Sequence, residues 1–252
     1  MKSIIFTDLD DSLFHSKRHF LSLSSHLSES ELLKKLTPAS LNASGQVICY
    51  HTELQQQLCT HLNSLGELIP VTGRSSASVN RIKNLSFESF RIVSHGALIL
   101  DPQGHFLASW RECISEEIDQ WSPLLNDCAS YLDKWLSIYP DRIRIKAVYD
   151  YEICTYISIK GEASILYEIA EDLYGFCAGA VIHHNQRNLA LLPSYANKAR
   201  AVNHLKSHLQ QLNDDPLCFI GVGDSVSDVP FLKSCDFAIT PQHSQIHKEL
   251  WS

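Results

Sequence analysis

Three short runs in this chain are almost wholly apolar rather than alternating, and each stops at a polar cluster. Ile4-Ile5-Phe6 leads into Thr7-Asp8-Leu9-Asp10-Asp11-Ser12, Glu67–Val71 into Thr72-Gly73-Arg74, and Leu217–Val222 into Gly223-Asp224-Ser225-Val226-Ser227-Asp228. A strand that is apolar on both faces needs cover on both, which is the habit of parallel sheets with helical crossovers. Helical spacing between the runs agrees. Leu54, Leu58, Leu62 and Leu65 follow Thr52 as an N-cap, and Lys198–Leu212 forms a second helix. Ligands of open parallel sheets sit at the carboxyl ends of the strands, so the three polar clusters are the candidate site.

The middle of the chain changes period. Ile114–Leu136 has a long helical pattern, kinked near Pro123. Arg142–Tyr149 and Glu152–Lys160 alternate as half-exposed strands do, Glu162–Phe176 is amphipathic, and Ala180–His184 and Asn188–Leu192 form two more strands. Helix-strand-strand thus occurs twice, which predicts an inserted α+β module at 109–189 within an α/β domain made of 1–108 and 190–252. The expected fold class is α/β, a Rossmann-like core with a mainly parallel sheet plus an inserted αββαββ module. Residues 15–48 read as polar and Ser-rich, with a helix near Glu29–Leu36 and a loop over Thr37–Gly45. Arg91–Ser94 reads as a third strand followed by a turn at His95-Gly96, and Ala97–Leu100 with Gly104–Ala108 suggests a hairpin around Pro102-Gln103-Gly104.

The 252 residues are enough to bury a real core, and 44% hydrophobic content excludes a disordered chain. A formal charge of −7 with no Lys/Arg cluster argues against nucleic acid as a partner. No apolar run reaches the ~18 residues a membrane span needs, and the first apolar run is cut short at Asp8, unlike a signal peptide. The expected location is the cytoplasm. Eight scattered cysteines without a C-x-x-C pair read as reduced, mostly buried thiols.

Asp8, Asp10 and Asp224 would crowd carboxylates into one crevice, which is costly unless a cation sits among them. Oxygen ligands without His or Cys suit Mg²⁺. The Thr72 hydroxyl, the Gly73 N–H and Lys198, at the start of the helix before the late strand, are phosphate-binding groups. A carboxylate held against such a phosphoryl group can attack it, and a second acid two residues on can move the protons. Taken singly, each of these motifs is common in turns and caps; their joint order is what points to phosphoryl transfer.

The set resembles the haloacid dehalogenase superfamily of aspartate-nucleophile phosphatases, over the whole chain. Asp8-Leu9-Asp10-Asp11-Ser12, Val71-Thr72-Gly73-Arg74, Lys198 and Gly223-Asp224-x-x-x-Asp228 look like its four motifs in order, and the inserted module looks like the α/β cap of its Mg²⁺-dependent sugar-phosphatase branch. The resemblance implies Asp8 as nucleophile and metal ligand, and Asp10 as general acid/base with its main-chain carbonyl on Mg²⁺. It implies Asp224 as a further ligand, Asp228 in support of the metal, and Thr72, Gly73 and Lys198 on the phosphoryl oxygens. Asp11 stands where the family often has Gly, Ser227 where it usually has Asn, and His95 where the turn usually has Asn. The implied partner is a small phosphorylated sugar or related metabolite, read by cap residues such as His183, His184, Arg187 and Asn188. The alternatives are a phosphomutase of the same superfamily and a non-catalytic regulator that binds a phosphometabolite.

Overall fold

The computed structural model describes residues 3–23, 28–177, 179–185 and 187–251. In chain order the strands and helices are β1 (Ser3–Thr7), β2 (His15–Ser16), α1 (Lys17–Leu23), α2 (Glu29–Leu33), β3 (Thr37–Leu41), β4 (Val47–His51), α3 (Glu53–Leu65), β5 (Gly66–Pro70), α4 (Ser76–Val79), β6 (Arg91–Val93) and β7 (Leu98–Leu100), then α5 (Ala108–Ile138), β8 (Ile143–Asp150), β9 (Ile153–Gly161), α6 (Ala163–Phe176), β10 (Val181–Asn185) and β11 (Asn188–Leu192), and finally α7 (Lys198–Gln211), β12 (Cys218–Val222), α8 (Val229–Leu232), β13 (Phe237–Ile239) and α9 (Gln245–Trp251). They form two compact units, 1–105 with 198–252, and 106–197.

The first unit is built on a parallel sheet of order β13-β12-β1-β5. Ile4, Ile5 and Phe6 on β1 are fully buried, as a central strand without an exposed face requires. Thr52 caps α3 as expected, in a reciprocal capping box with Gln55. Two local expectations are corrected. Thr37–Leu41 is a strand, not a loop: it pairs with β4 in a small sheet of order β2-β4-β3, where Pro38 is tolerated because β3 is an edge. The hairpin near residue 97 joins β6 to β7 through Ser94–Gly96, and Ala108 opens α5 instead of closing a strand.

The second unit is an antiparallel sheet of order β10-β11-β9-β8, with α5 and α6 packed on it. Ile153, Thr155, Ile157 and Ile159 of β9 are buried, while Cys154, Tyr156, Ser158 and Lys160 between them are less so. Pro123 sits inside a single continuous α5. Trp110 and Trp121 are core residues, and the Trp135 indole N–H donates to Asp172 on α6. Cys128 of α5 and Cys177 after α6 are disulfide-bonded, which corrects the expectation of eight reduced thiols. No helix among the described residues is long and apolar enough to cross a membrane.

Candidate active site

β1 lies between β12 and β5, all three parallel, so the residues just past their ends emerge along one edge. Those residues are Asp8, Asp224 and Thr72. The main chain ties them down: Asp8 N–H donates to the Val222 carbonyl at 2.8 Å and Val71 N–H to the Thr7 carbonyl at 2.7 Å. Lys198, the first residue of α7, donates from Nζ to Oδ1 of Asp8 and to Oδ1 of Asp228, each at 2.7 Å. The other Asp228 oxygen, Oδ2, accepts from Ser225 N–H (3.0 Å), Ser225 Oγ (2.7 Å) and Asp224 N–H (3.3 Å). Asp228 therefore holds both the lysine and its own loop. Gly223 is demanded here, since a Cβ would lie 2.8 Å from the Asp228 Cβ. Asp224 Oδ1 accepts from Ser12 Oγ at 2.9 Å.

Carboxylate oxygens of Asp8, Asp224 and Asp228 lie within 4.8 Å of one another, and all three residues are buried. Three acids thus share one ammonium. Burial, offset in part by Lys198, and the charges of Asp228 and Asp224 push Asp8 well above the usual carboxylate range. Burial and Asp228 push Asp224 up to about 7. Asp228 also feels its burial, but Lys198 and the Ser225 donors outweigh it and hold its carboxyl below the usual range. Burial pulls Lys198 down, and the two carboxylates more than reverse that. Such an under-neutralised oxygen cluster is a fit for a hard divalent cation of the Mg²⁺ type.

Asp10 points elsewhere. Its oxygens accept from Nε and Nη2 of Arg74, both at 2.6 Å. Arg74 also donates to Ser40 Oγ at 2.7 Å and to Cys49 Sγ at 3.2 Å, and lies 5.0 Å over the Phe14 ring. Sequence reasoning placed Arg74 in a motif without giving it a partner, because Ser40 and Cys49 reach it only through the small sheet. Thr72 is buried, and its Oγ1 accepts from Arg74 N–H at 3.1 Å. The turn after β6 folds back onto this loop, with Ser94 N–H on the Arg74 carbonyl and His95 N–H on the Thr72 carbonyl. Ser94 (φ 52°) and His95 (φ 60°) are both left-handed, an uncommon conformation for side-chain-bearing residues. The imidazole edge lies against Gly73, where a Cβ would fall 2.5 Å from His95 Cε1.

The four substrate-reading candidates lie in the second unit. His183 pairs across to Ala190, which pairs to Ser158 and on to Lys146, so these share the sheet face away from the buried β9 residues. Asn188 falls in the next row of that face, with Lys160 and Arg144. His184 is on the opposite face, its ring edge-on to Tyr167 of α6 at 4.4 Å. Arg187 Nε donates to the Gly161 carbonyl at 3.2 Å.

The sequence matches no family model and no curated protein. Solved structures do match. A trehalose-6-phosphate phosphatase related protein is 17% identical, with a TM-score of 0.54 over 94% of this chain and 86% of that one. The sucrose-phosphatase of Synechocystis, solved with sucrose and phosphate, is 14% identical with a TM-score of 0.56 over 99% and 96%. A haloacid dehalogenase-like hydrolase from Bacteroides thetaiotaomicron is 14% identical with a TM-score of 0.53 over 95% and 94%. From end to end, the chain has the fold of the haloacid dehalogenase-type phosphatases.

Proposed function

We propose that this protein is a Mg²⁺-dependent phosphomonoester hydrolase that works through an aspartyl-phosphate on Asp8. The observation that carries the reading is the pinning of Asp8 by Lys198 inside a buried acid cluster at the carboxyl edge of the parallel sheet. Lys198 occupies one Asp8 oxygen, and the other attacks phosphorus as the bond to the leaving oxygen breaks. Asp10 gives that oxygen its proton, then takes one from the water that attacks the phosphoryl-aspartate and frees Asp8 and inorganic phosphate. Since Arg74 binds both Asp10 oxygens, one of those hydrogen bonds must be released for Asp10 to serve. Thr72, the Gly73 N–H and Lys198 hold the phosphoryl oxygens. The side chains of Asp8 and Asp224 and the Asp10 carbonyl would hold Mg²⁺, supported by Asp228; when bound, the ion neutralises phosphoryl charge.

The proposed substrate is a small phosphorylated sugar or related metabolite, consistent with a sucrose-phosphatase neighbour solved with sucrose and phosphate. Recognition of the leaving group falls to the second unit, with His183 and Asn188 on the sheet face away from the buried β9 residues and Arg187 and His184 in reserve. The test is phosphate release from a panel of phosphorylated sugars, polyols, glycerates and nucleotides, with Mg²⁺ and with EDTA. Mg²⁺-dependent turnover on a few sugar phosphates, abolished in Asp8→Asn with the fold intact, is the expected result. Near-normal turnover in Asp8→Asn overturns the mechanism, and a requirement for a sugar bisphosphate activator turns the reading to a mutase.

A further inference from the structure

Beside the acid cluster the chain carries a second constellation with different chemistry. Asp11, His15 and His19 follow a D-x-x-x-H-x-x-x-H spacing. Their ligand atoms (one carboxylate oxygen and one nitrogen from each imidazole) lie within 4.8 Å of one another, and all three residues are half-buried. We propose that Asp11, His15 and His19 form a site for a borderline divalent metal such as Zn²⁺ or Ni²⁺, distinct from the oxygen-lined cluster around Asp8.

The local fold holds each ligand from the main chain. Asp11 sits at φ 64°, its N–H donating to the Phe14 carbonyl at 2.8 Å, which turns its carboxylate towards His15. His15 is on β2, paired to Tyr50 of β4, and His19 is in the first turn of α1, its N–H on Ser16 Oγ. His15 Nδ1 is 2.8 Å from Asp11 Oδ1, and its ring stacks on His19 with centroids 4.0 Å apart. Phe20 stands edge-on to both rings, at 5.6 and 5.8 Å. Imidazole lone pairs lie in the ring plane, so two stacked rings hold theirs in parallel planes, and shared ligation requires one ring to turn out of the stack. Two imidazoles and one carboxylate suit Zn²⁺ and its neighbours in the transition series, whereas Mg²⁺ prefers oxygen alone.

The experiment is calorimetric titration of the full chain with Zn²⁺ in excess Mg²⁺, added to compete for the oxygen ligands around Asp8. The expected result is one equivalent bound with a Kd of about 1 μM or tighter. In the double variant His15→Ala/His19→Ala the affinity falls by at least about tenfold, while circular dichroism and Mg²⁺-dependent phosphate release stay at wild-type levels. Asp11→Asn is the second variant: Asn tolerates the left-handed backbone, so the fold is kept and the charged ligand lost. It too is expected to weaken Zn²⁺. No Zn²⁺ binding in the wild type, or binding unchanged in both variants, overturns the site. Because the readout is metal binding, it stands apart from the phosphatase reading, which would fail in the phosphate-release assay instead.

Discussion

Lys198→Met removes the one cation inside the acid cluster and leaves Asp8 and Asp228 facing each other. Both lie at 2.7 Å from Lys198 Nζ, and the Asp228 side chain is fully buried. Breaking a buried pair by removing one partner costs about 3–5 kcal/mol, which is a fall in Tm of about 6–20 °C. Lys198 is raised, so its contribution is complete below the ordinary lysine range and fully present at pH 7. Asp228 is depressed, so its contribution holds above the ordinary carboxylate range and fades as pH falls through its lowered value. The variant should therefore lose most at neutral pH and less in acid, where Asp8, already raised, takes up its proton. The assay is urea unfolding followed by far-ultraviolet circular dichroism, since Trp110, Trp121 and Trp135 all report on the 106–197 unit. A double-mutant cycle with Asp228→Asn isolates the pair. Lys198→Met/Asp228→Asn should be less destabilised than the sum of the singles by about 1–3 kcal/mol. Additivity within about 0.5 kcal/mol, or a loss that does not shrink in acid, would refute the reasoning.

Gly73→Ala places a methyl group 2.5 Å from the His95 ring, so it should destabilise by about 1–3 kcal/mol and raise the inhibition constant for inorganic phosphate; adding His95→Ala should restore the stability, as measured by urea unfolding. Arg74→Met removes the side chain that orients Asp10 and should lower kcat by about 10²-fold with little change in KM; equal rates for variant and wild type in steady-state phosphate release would remove Arg74 as a positioning residue. The Cys128–Cys177 crosslink spans 49 residues, worth about 4 kcal/mol in the chain-entropy account, so dithiothreitol should lower the calorimetric Tm, and an unchanged Tm would remove the crosslink as a stabilising element.

What could be read from the residues follows from how burial writes itself into a sequence. β1, β5 and β12 were legible because strands of a covered parallel sheet lack the alternation that a wet face imposes. β3 was not, because an edge strand tolerates Pro38 and shifts register twice against β4, so its pattern resembles a loop. The turn at His95-Gly96 was legible, but β7 was expected to pair forward with Gly104–Ala108, whereas it pairs back onto β6. Gly104, the glycine that suggested a turn, closes the Asp101–Gly104 loop just ahead of α5. The disulfide joins residues 49 apart on two helices, a spacing with no local trace. Arg74 was visible as a letter in a motif, but its partners Asp10, Ser40 and Cys49 come from three separate segments.

The three acids carry the same point further. In the sequence Asp8, Asp224 and Asp228 are the same residue at the ends of two strands. In the fold they differ by what each oxygen touches. Asp228 has one oxygen on Lys198 and the other on the Ser225 hydroxyl and the Asp224 and Ser225 amides, and its carboxyl falls. Asp8 has Lys198 as its one side-chain partner among the described residues, against burial and two like charges, and rises. Asp224 has the Ser12 hydroxyl, with Lys198 ranking below Asp228 and Asp11 among its influences, and is pushed up to about 7. A carboxyl raised in this way is a poor structural charge, and a bound cation would favour its ionised form. The division of labour proposed for them, nucleophile, metal ligand and support, comes from the order of the motifs, and the inequality of environment gives each acid a different charge balance within it.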